Sequence, residues 1–343
     1  MSRAMRRREG RTPREIVAHM DRFVIGQTAA KRALAVAAYR HQCRIADVQS
    51  GKKPTTKKSN VLLVGPTGTG KTLLAARIAE SLDVPFTVAD ATEYTAAGYY
   101  GRDVGEILKG LLAAAGNTQN AETGGIVFID EVDKLARARS AANDAATLDI
   151  GGEQVQRALL TMMEGRRAGA ESFGRNEPTF FLDTTNVLFI CAGAFSDAYD
   201  DEEAQPKRPV GFGAAAGSAR RRRMDVKRLV RYGMLPEFLG RLPVLAELEP
   251  PGVADLERIL TEPEDALAKE FAAQLAADGI DVRMAPDAVR TVAEAAFERG
   301  LGARGLRAAM ERVFEELLFD APDLPPKPRT ITAAYVRKRL ADA

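Results

Sequence analysis

The sequence predicts an α/β fold: a parallel sheet between helices, followed by a smaller α-rich C-terminal domain. Three observations carry this. Short apolar runs alternate with helical stretches up to about residue 247. After LEPPG at 248–252 the pattern turns almost wholly helical. One glycine-rich turn, GPTGTGKT at 65–72, joins a strand pattern to a helix pattern. Apolar strands separated by helices mark a parallel sheet covered on both faces.

In chain order, residues 1–11 (MSRAMRRREGR) form a basic arm without the apolar stretch of a secretory signal, and are expected to be disordered. Thr12 is placed to cap a helix that has Pro13 at its first position. The Ala- and Leu-rich TAAKRALAVAAYRHQCRIAD continues as helix, and QSGKKPTTKKSN is a polar loop. NVLLVG reads as a buried strand, and TLLAARIAESL sets Leu74, Ile78 and Leu82 on one helix face. VPFTVAD is a second strand. DVGEILKGLL puts Val104, Ile107, Leu108, Leu111 and Leu112 on one face, with Asp103 as expected cap and Glu106 three residues on. IVFID, NVLFICA and LPVLAEL complete five strands. The organisation expected is a domain over 12–247 and a smaller one over 248–343. The latter reads as helices ADLERIL, EDALAKEFAAQLAADG, PDAVRTVAEAAFERG, GLRAAMERVFEELLF and AAYVRKRL, with short strands IDVRM and RTIT. An acidic, Gly/Ala-rich and then arginine-rich insertion at about 196–228, ending in Arg220 to Arg223, is expected to be mobile.

Composition narrows the function classes. The 343 residues are 45% apolar and 28% charged, the balance of a soluble globular chain of about two domains. A net charge of +2 offers no global field for nucleic acid. No apolar run approaches the ~18 residues of a membrane span. Two cysteines, Cys43 and Cys191, and two histidines, His19 and His41, lack zinc-site spacing. They read as structural groups in a reducing cytoplasm.

The chemistry lies in two runs. GPTGTGKT matches G-x-x-x-x-G-K-[ST] in its required strand–turn–helix context. Gly65, Pro66, Thr67, Gly68, Thr69 and Gly70 form a turn whose backbone N–H groups surround phosphate oxygens. Lys71 neutralises the β and γ phosphates of ATP, Thr72 places a hydroxyl on Mg²⁺, and the helix N-terminus faces the anion. IVFIDEVDK at 126–134 ends a strand in two acids. In an α/β sheet ligands sit at the carboxyl ends of strands, so Asp130 reaches the Mg²⁺ shell and Glu131 an attacking water. The second acid favours hydrolysis over transfer to a substrate.

Together with VIGQ at 24–27, VLFICAGAF at 187–195, PEFLGRLPV at 236–244 and GLGARGLR at 300–307, these runs resemble the ClpX-type AAA+ protein unfoldases. The resemblance extends from about Thr12 to the C-terminus. It implies a hexameric ring that uses ATP and Mg²⁺ to draw protein substrates through a central pore, and a ClpP-like peptidase as partner. It implies that Ile25, in VIGQ, packs beside adenine. Arg241 becomes a finger reaching the neighbouring subunit's nucleotide, and Arg304 a sensor on the second domain. GYYG at 98–101 matches the pore loop, with Tyr99 as gripping aromatic and Tyr100 as an additional one. Val210, Gly211 and Phe212 resemble the tripeptide that docks the peptidase.

The sequence departs from the family at three places. The usual N-terminal zinc-binding domain is expected to be absent. GRNEP at 174–178 keeps Arg175 but has Asn176 and Glu177 where the family's pore-entrance loop is basic, and Arg102 replaces an acidic residue. These point to altered substrates. Two other readings remain open: a ring that remodels assemblies without a peptidase, and a nucleic-acid motor motivated by the basic arm. The aromatic pore loop and near-neutral charge argue against the second.

Overall fold

A computed structural model of the chain describes residues 10–95, 102–136, 150–165, 167–170, 180–200 and 223–341. Tyr99 and Tyr100, the 174–178 loop and Val210, Gly211 and Phe212 lie outside the described residues. The elements run α1 (Pro13–Asp21), α2 (Thr28–Gln49), β1 (Val61–Val64), α3 (Lys71–Leu82), β2 (Phe86–Asp90), β3 (Tyr94–Thr95), β4 (Arg102–Asp103), α4 (Glu106–Ala115), α5 (Thr118–Gly124) and β5 (Ile126–Asp130). Next come α6 (Ile150–Met163), β6 (Arg167–Ala170), β7 (Phe180–Asp183), β8 (Leu188–Gly193), α7 (Asp197–Asp200), α8 (Val226–Tyr232), α9 (Pro236–Gly240) and β9 (Val244–Glu247). The remainder is α10 (Val253–Thr261), α11 (Leu267–Ala277), β10 (Val282–Met284), α12 (Pro286–Glu298), α13 (Ala303–Asp320), β11 (Arg329–Ile331) and α14 (Ala333–Ala341).

Five strands form one parallel sheet in the order β2-β5-β8-β1-β9. Along β1 the side chains alternate between faces, as the two-residue period of a strand requires. Leu62 and Val64 join a core with Val127, Ile129 and Phe189 under α4 and α6. Val61 and Leu63 join a core with Phe128 and Ile190 under α1, α2 and α3. Both faces are buried, which is why the strands read as continuous apolar runs. A third core, around Leu256, Phe271, Val292, Leu306 and Phe314, belongs to the C-terminal helices, where Phe271 and Phe314 stack at 5.0 Å.

Local sequence signals place most of these elements. Thr12 caps α1 in a full capping box: its hydroxyl accepts from Glu15 N, and the Glu15 carboxylate accepts from Thr12 N. Helix α4 does not follow directly on Asp103. The helix begins three residues later with Gly105 at the N-cap, because the backbone of Asp103 is extended and pairs with Thr95. The ends of the expected insertion are helical in α7 and α8. Tyr199 Oη donates to Glu247 at 2.5 Å and Met224 N to the same carboxylate at 3.2 Å, tying both ends to β9.

Candidate active site

The carboxyl ends of β1 and β5 meet at a turn and a helix start. Gly68 adopts a positive φ of 78°, open to glycine without strain. That turn delivers the chain into α3 at Lys71, so the helix N-terminus and the loop N–H groups face the same space. Lys71 is buried, and its ammonium donates to Gly65 O at 2.7 Å and Pro66 O at 3.0 Å. Burial pulls its pKa below the ordinary lysine value, while Asp130, Asp133 and Glu131 raise it and Arg304 lowers it further. All of these charges therefore act at one point.

At the end of β5, Asp130 is fixed from two sides. Thr72 Oγ1 donates to its Oδ2 at 3.3 Å and Glu131 N to its Oδ1 at 2.9 Å. Glu131 has φ 57°, a left-handed conformation uncommon for a residue with a side chain. Its side chain is exposed and lines the cleft. Asp133, three residues on, is almost fully buried; its carboxylate accepts from Phe195 N at 3.4 Å and lies 3.6 Å from Lys134 Nζ. Thr67, Lys71, Thr72, Asp130, Glu131 and Arg304 all line one cleft of about 630 Å³.

A second cavity of about 180 Å³ adjoins it, since Gly68, Gly70, Leu73 and Ala303 line both. Its walls combine apolar side chains, Val24, Ile25, Pro250, Pro251 and Ile259, with the polar Gln27, Glu249 and Asp255. Thr69 lines this side. A cleft lined by Lys71, Asp130, Glu131 and Arg304 that continues into one with Ile25, Pro250 and Ile259 on its walls matches a triphosphate joined to a flat base.

Residues 56–245 match the family model of the AAA domain (Cdc48 subfamily), and residues 253–322 match that of the C-terminal, D2-small domain of ClpB protein. The ATP-dependent Clp protease ATP-binding subunit ClpX of Treponema denticola is 41% identical over 91% of this chain and 78% of the relative. Its namesake from Porphyromonas gingivalis is 41% identical over 96% of the chain and 82% of the relative. That of Borrelia duttonii is 38% identical over 91% and 75%. The chain belongs to the ClpX family of AAA+ ATPases.

Two arginines marked by the ClpX resemblance fall in different places. Arg304 stands at the start of α13, faces the phosphate side of the cleft, and makes no ion pair among the described residues. Arg241 follows α9 and lines neither cavity. Its guanidinium is half exposed and donates to Glu164 at 2.6 Å, and its carbonyl accepts from Asn60 Nδ2 at 3.0 Å.

Several cleft residues carried no expectation from sequence. Asp133 and Lys134 stand in the same DEVDK run as the two acids, so the signal was adjacent. Arg307 lies one turn beyond Arg304, paired with Glu270 through bonds of 3.0 and 2.8 Å. Leu267 had no signal at all. The end of β8 supplies Ala194, whose methyl group can sense no phosphate oxygen. Gln27 gives the ClpX segment VIGQ a structural role. Its side-chain amide donates to Glu249 O at 2.7 Å and accepts from Glu249 N at 3.0 Å, fastening the start of α2 to the LEPPG segment. Cys43 and Cys191 are buried free thiols, and burial pushes the Cys191 thiol up to about 12.

Among the described residues no helix is long and apolar enough to cross a membrane.

Proposed function

We propose that this chain is an ATP-driven protein unfoldase that works as a hexameric ring in the cytoplasm and delivers polypeptide to a ClpP-like peptidase. One observation carries the reading: Lys71, Thr72, Asp130, Glu131 and Arg304, from both ends of the chain, converge on one cleft. We place a large domain at 12–247 and a small one at 248–343, with this cleft between them.

ATP would lie with its phosphates against the loop of Gly65, Pro66, Thr67, Gly68, Thr69 and Gly70 and its base against Ile25. Lys71 exchanges the carbonyls of Gly65 and Pro66 for phosphate oxygens. Thr72 Oγ1 and Asp130 Oδ2 are hard oxygen donors 3.3 Å apart, the donor type that Mg²⁺ takes. Bound with the nucleotide, that ion supplies positive charge beside the phosphates. Glu131, whose exposed side chain lines the cleft, orients the attacking water and accepts its proton. Arg304 steadies negative charge on the γ-phosphate from within the chain, and Arg241 does so from the next subunit. Hydrolysis changes what Arg304 holds, so the small domain's angle follows the nucleotide. Tyr99, with Tyr100 beside it, then moves the substrate, and Val210, Gly211 and Phe212 dock the peptidase.

The test is ATP-dependent unfolding of a tagged reporter protein by the wild-type chain and by Glu131→Gln. The variant should bind ATP and leave the reporter folded. Equal unfolding by both would remove Glu131 from the mechanism. With the peptidase present, Phe212→Ala should abolish reporter degradation and preserve ATP hydrolysis; no association even for wild type would leave a ring that acts without a peptidase.

A further inference from the structure

The phosphate loop and the helix α3 that follows it touch the small domain at two separate places. At the loop, Ala303 N donates to Gly68 O at 3.1 Å. The approach is close enough to exclude side chains. A Cβ on Gly302 would stand 3.0 Å from Gly68 O and 3.1 Å from Thr67 O, and one on Gly68 would strike Leu301 O. Midway along α3, about 9 Å up the helix from Lys71, Arg77 Nη2 bonds Asp265 Oδ2 at 2.6 Å while its Nη1 holds Glu80 at 2.7 Å. Beside it Arg22 grips Glu264 with two bonds of 2.5 and 2.6 Å, and Glu264 N donates to Arg22 O at 3.0 Å. Both guanidinium groups lie over the Phe23 ring, with Arg77 Cζ 3.8 Å and Arg22 Cζ 5.4 Å from its centroid.

We propose that Arg22 and Arg77 are positioning residues for Arg304. A two-arginine clasp over Phe23 holds the α10–α11 turn and thereby sets how α13 carries Arg304 over the phosphate cleft. The inference rests on the reading of Arg304 given above. A single contact at Gly68 is a pivot, about which the small domain can turn. A second contact, from Arg77 two turns along the same rigid helix and from Arg22 beside it, opposes that turning. The charges are complementary: both cations come from the large domain and both anions, Glu264 and Asp265, from the turn. The Arg22 pair is half exposed on each side, so it is weak and salt-sensitive. A contact that opens and re-forms in every cycle needs that property, which a packed apolar seam would lack. The simpler account makes these ordinary surface pairs that add a little stability and nothing else.

A double-mutant cycle in the full chain separates the two. ATP turnover and melting temperature are measured for Arg304→Ala, Arg22→Glu, both together, and Arg22→Glu combined with Glu264→Arg. Arg22→Glu should lower turnover roughly 3- to 10-fold with little change in melting temperature. On top of Arg304→Ala it should cost less than about 2-fold more, because the residue it acts through is gone. The charge-reversed pair should recover wild-type turnover to within about 2-fold. Losses that multiply in the double variant, or a reversed pair that recovers nothing, overturn the clasp and leave the Arg304 reading standing. Normal turnover in Arg304→Ala overturns both.

Discussion

Arg304 and Arg241 are both arginines at helix ends, and the fold treats them oppositely. Arg304 starts α13 and lines the cleft beside Lys71, without an ion-pair partner among the described residues. Arg241 ends α9, stands outside both cavities and is held by Glu164. A cation that lines its own chain's cleft serves that chain. One fastened to another face with half its surface in solvent serves a different molecule or none. The two regions thus differ as the proposed mechanism requires, in which Arg304 acts within its own chain and Arg241 in a neighbour's site.

Substitutions should separate the two arginines. Arg241→Ala should lower ATP turnover by at least about 10³-fold, the order expected for an arginine finger. ATP affinity, measured with a fluorescent analogue, should stay near wild type, because no group of the chain's own cleft is lost. Acidification should act next, through the fold. His41 is buried with Nε2 on Gly124 O at 2.8 Å, and burial holds its pKa at about 4 against an ordinary 6.5. The folded state thus takes up this proton less readily than the unfolded one. The neutral ring's contribution is whole above pH 6.5 and is lost as pH falls from 6.5 towards 4, on the order of 3 kcal/mol. Urea melts across that range should show the decline equally in both arginine variants, since arginine does not titrate there. Arg304→Ala should cost about 10- to 30-fold in turnover and, unlike Arg241→Ala, also weaken ATP binding, as loss of one charge-assisted contact in the chain's own site requires. Glu164→Ala should change turnover by less than about 2-fold, because an exposed ion pair contributes little. A large loss there would mean that the Glu164 tether, and not reach across a subunit boundary, sets the role of Arg241.

The sequence made the phosphate side of the cleft legible because its chemistry is local. Gly65 to Thr72 and Asp130–Glu131 are contiguous runs, and strand endings place them without long-range information. The central strands β1, β5 and β8 were equally plain, since burial on both faces leaves continuous apolar runs, and the partly exposed edge strands β2 and β9 kept enough apolar residues to be read. What stayed hidden depends on partners far apart in sequence. The Gln27–Glu249 amide pair spans 222 residues and the Arg22–Glu264 pair 242, so neither has a local signature. Helix α4 shows the converse: the local signal set its start at Asp103, yet Asp103 pairs with Thr95 in a strand and the helix begins at Glu106. The β6–β7 hairpin and helices α5 and α6 lacked distinct boundaries in the sequence. Arg304 and Arg241 became visible only through family resemblance, because an isolated arginine reads as a surface ion pair. For Arg307 and Arg241 the structure does show such pairs; for Arg304 it shows none among the described residues.

Mixing two inactive variants tests the central claim most directly. Glu131→Gln and Arg241→Ala are purified separately, each with negligible ATP turnover, then combined and assayed. In a mixed ring, a site that keeps Glu131 in an Arg241→Ala chain can receive Arg241 from a Glu131→Gln neighbour, so turnover and reporter unfolding should reappear. Glu131→Gln combined with Arg304→Ala should show turnover no higher than the Arg304→Ala chains supply, since that arginine acts inside its own chain. Failure of the first mixture to recover any activity, with mixed rings shown to form, would contradict a site shared between subunits.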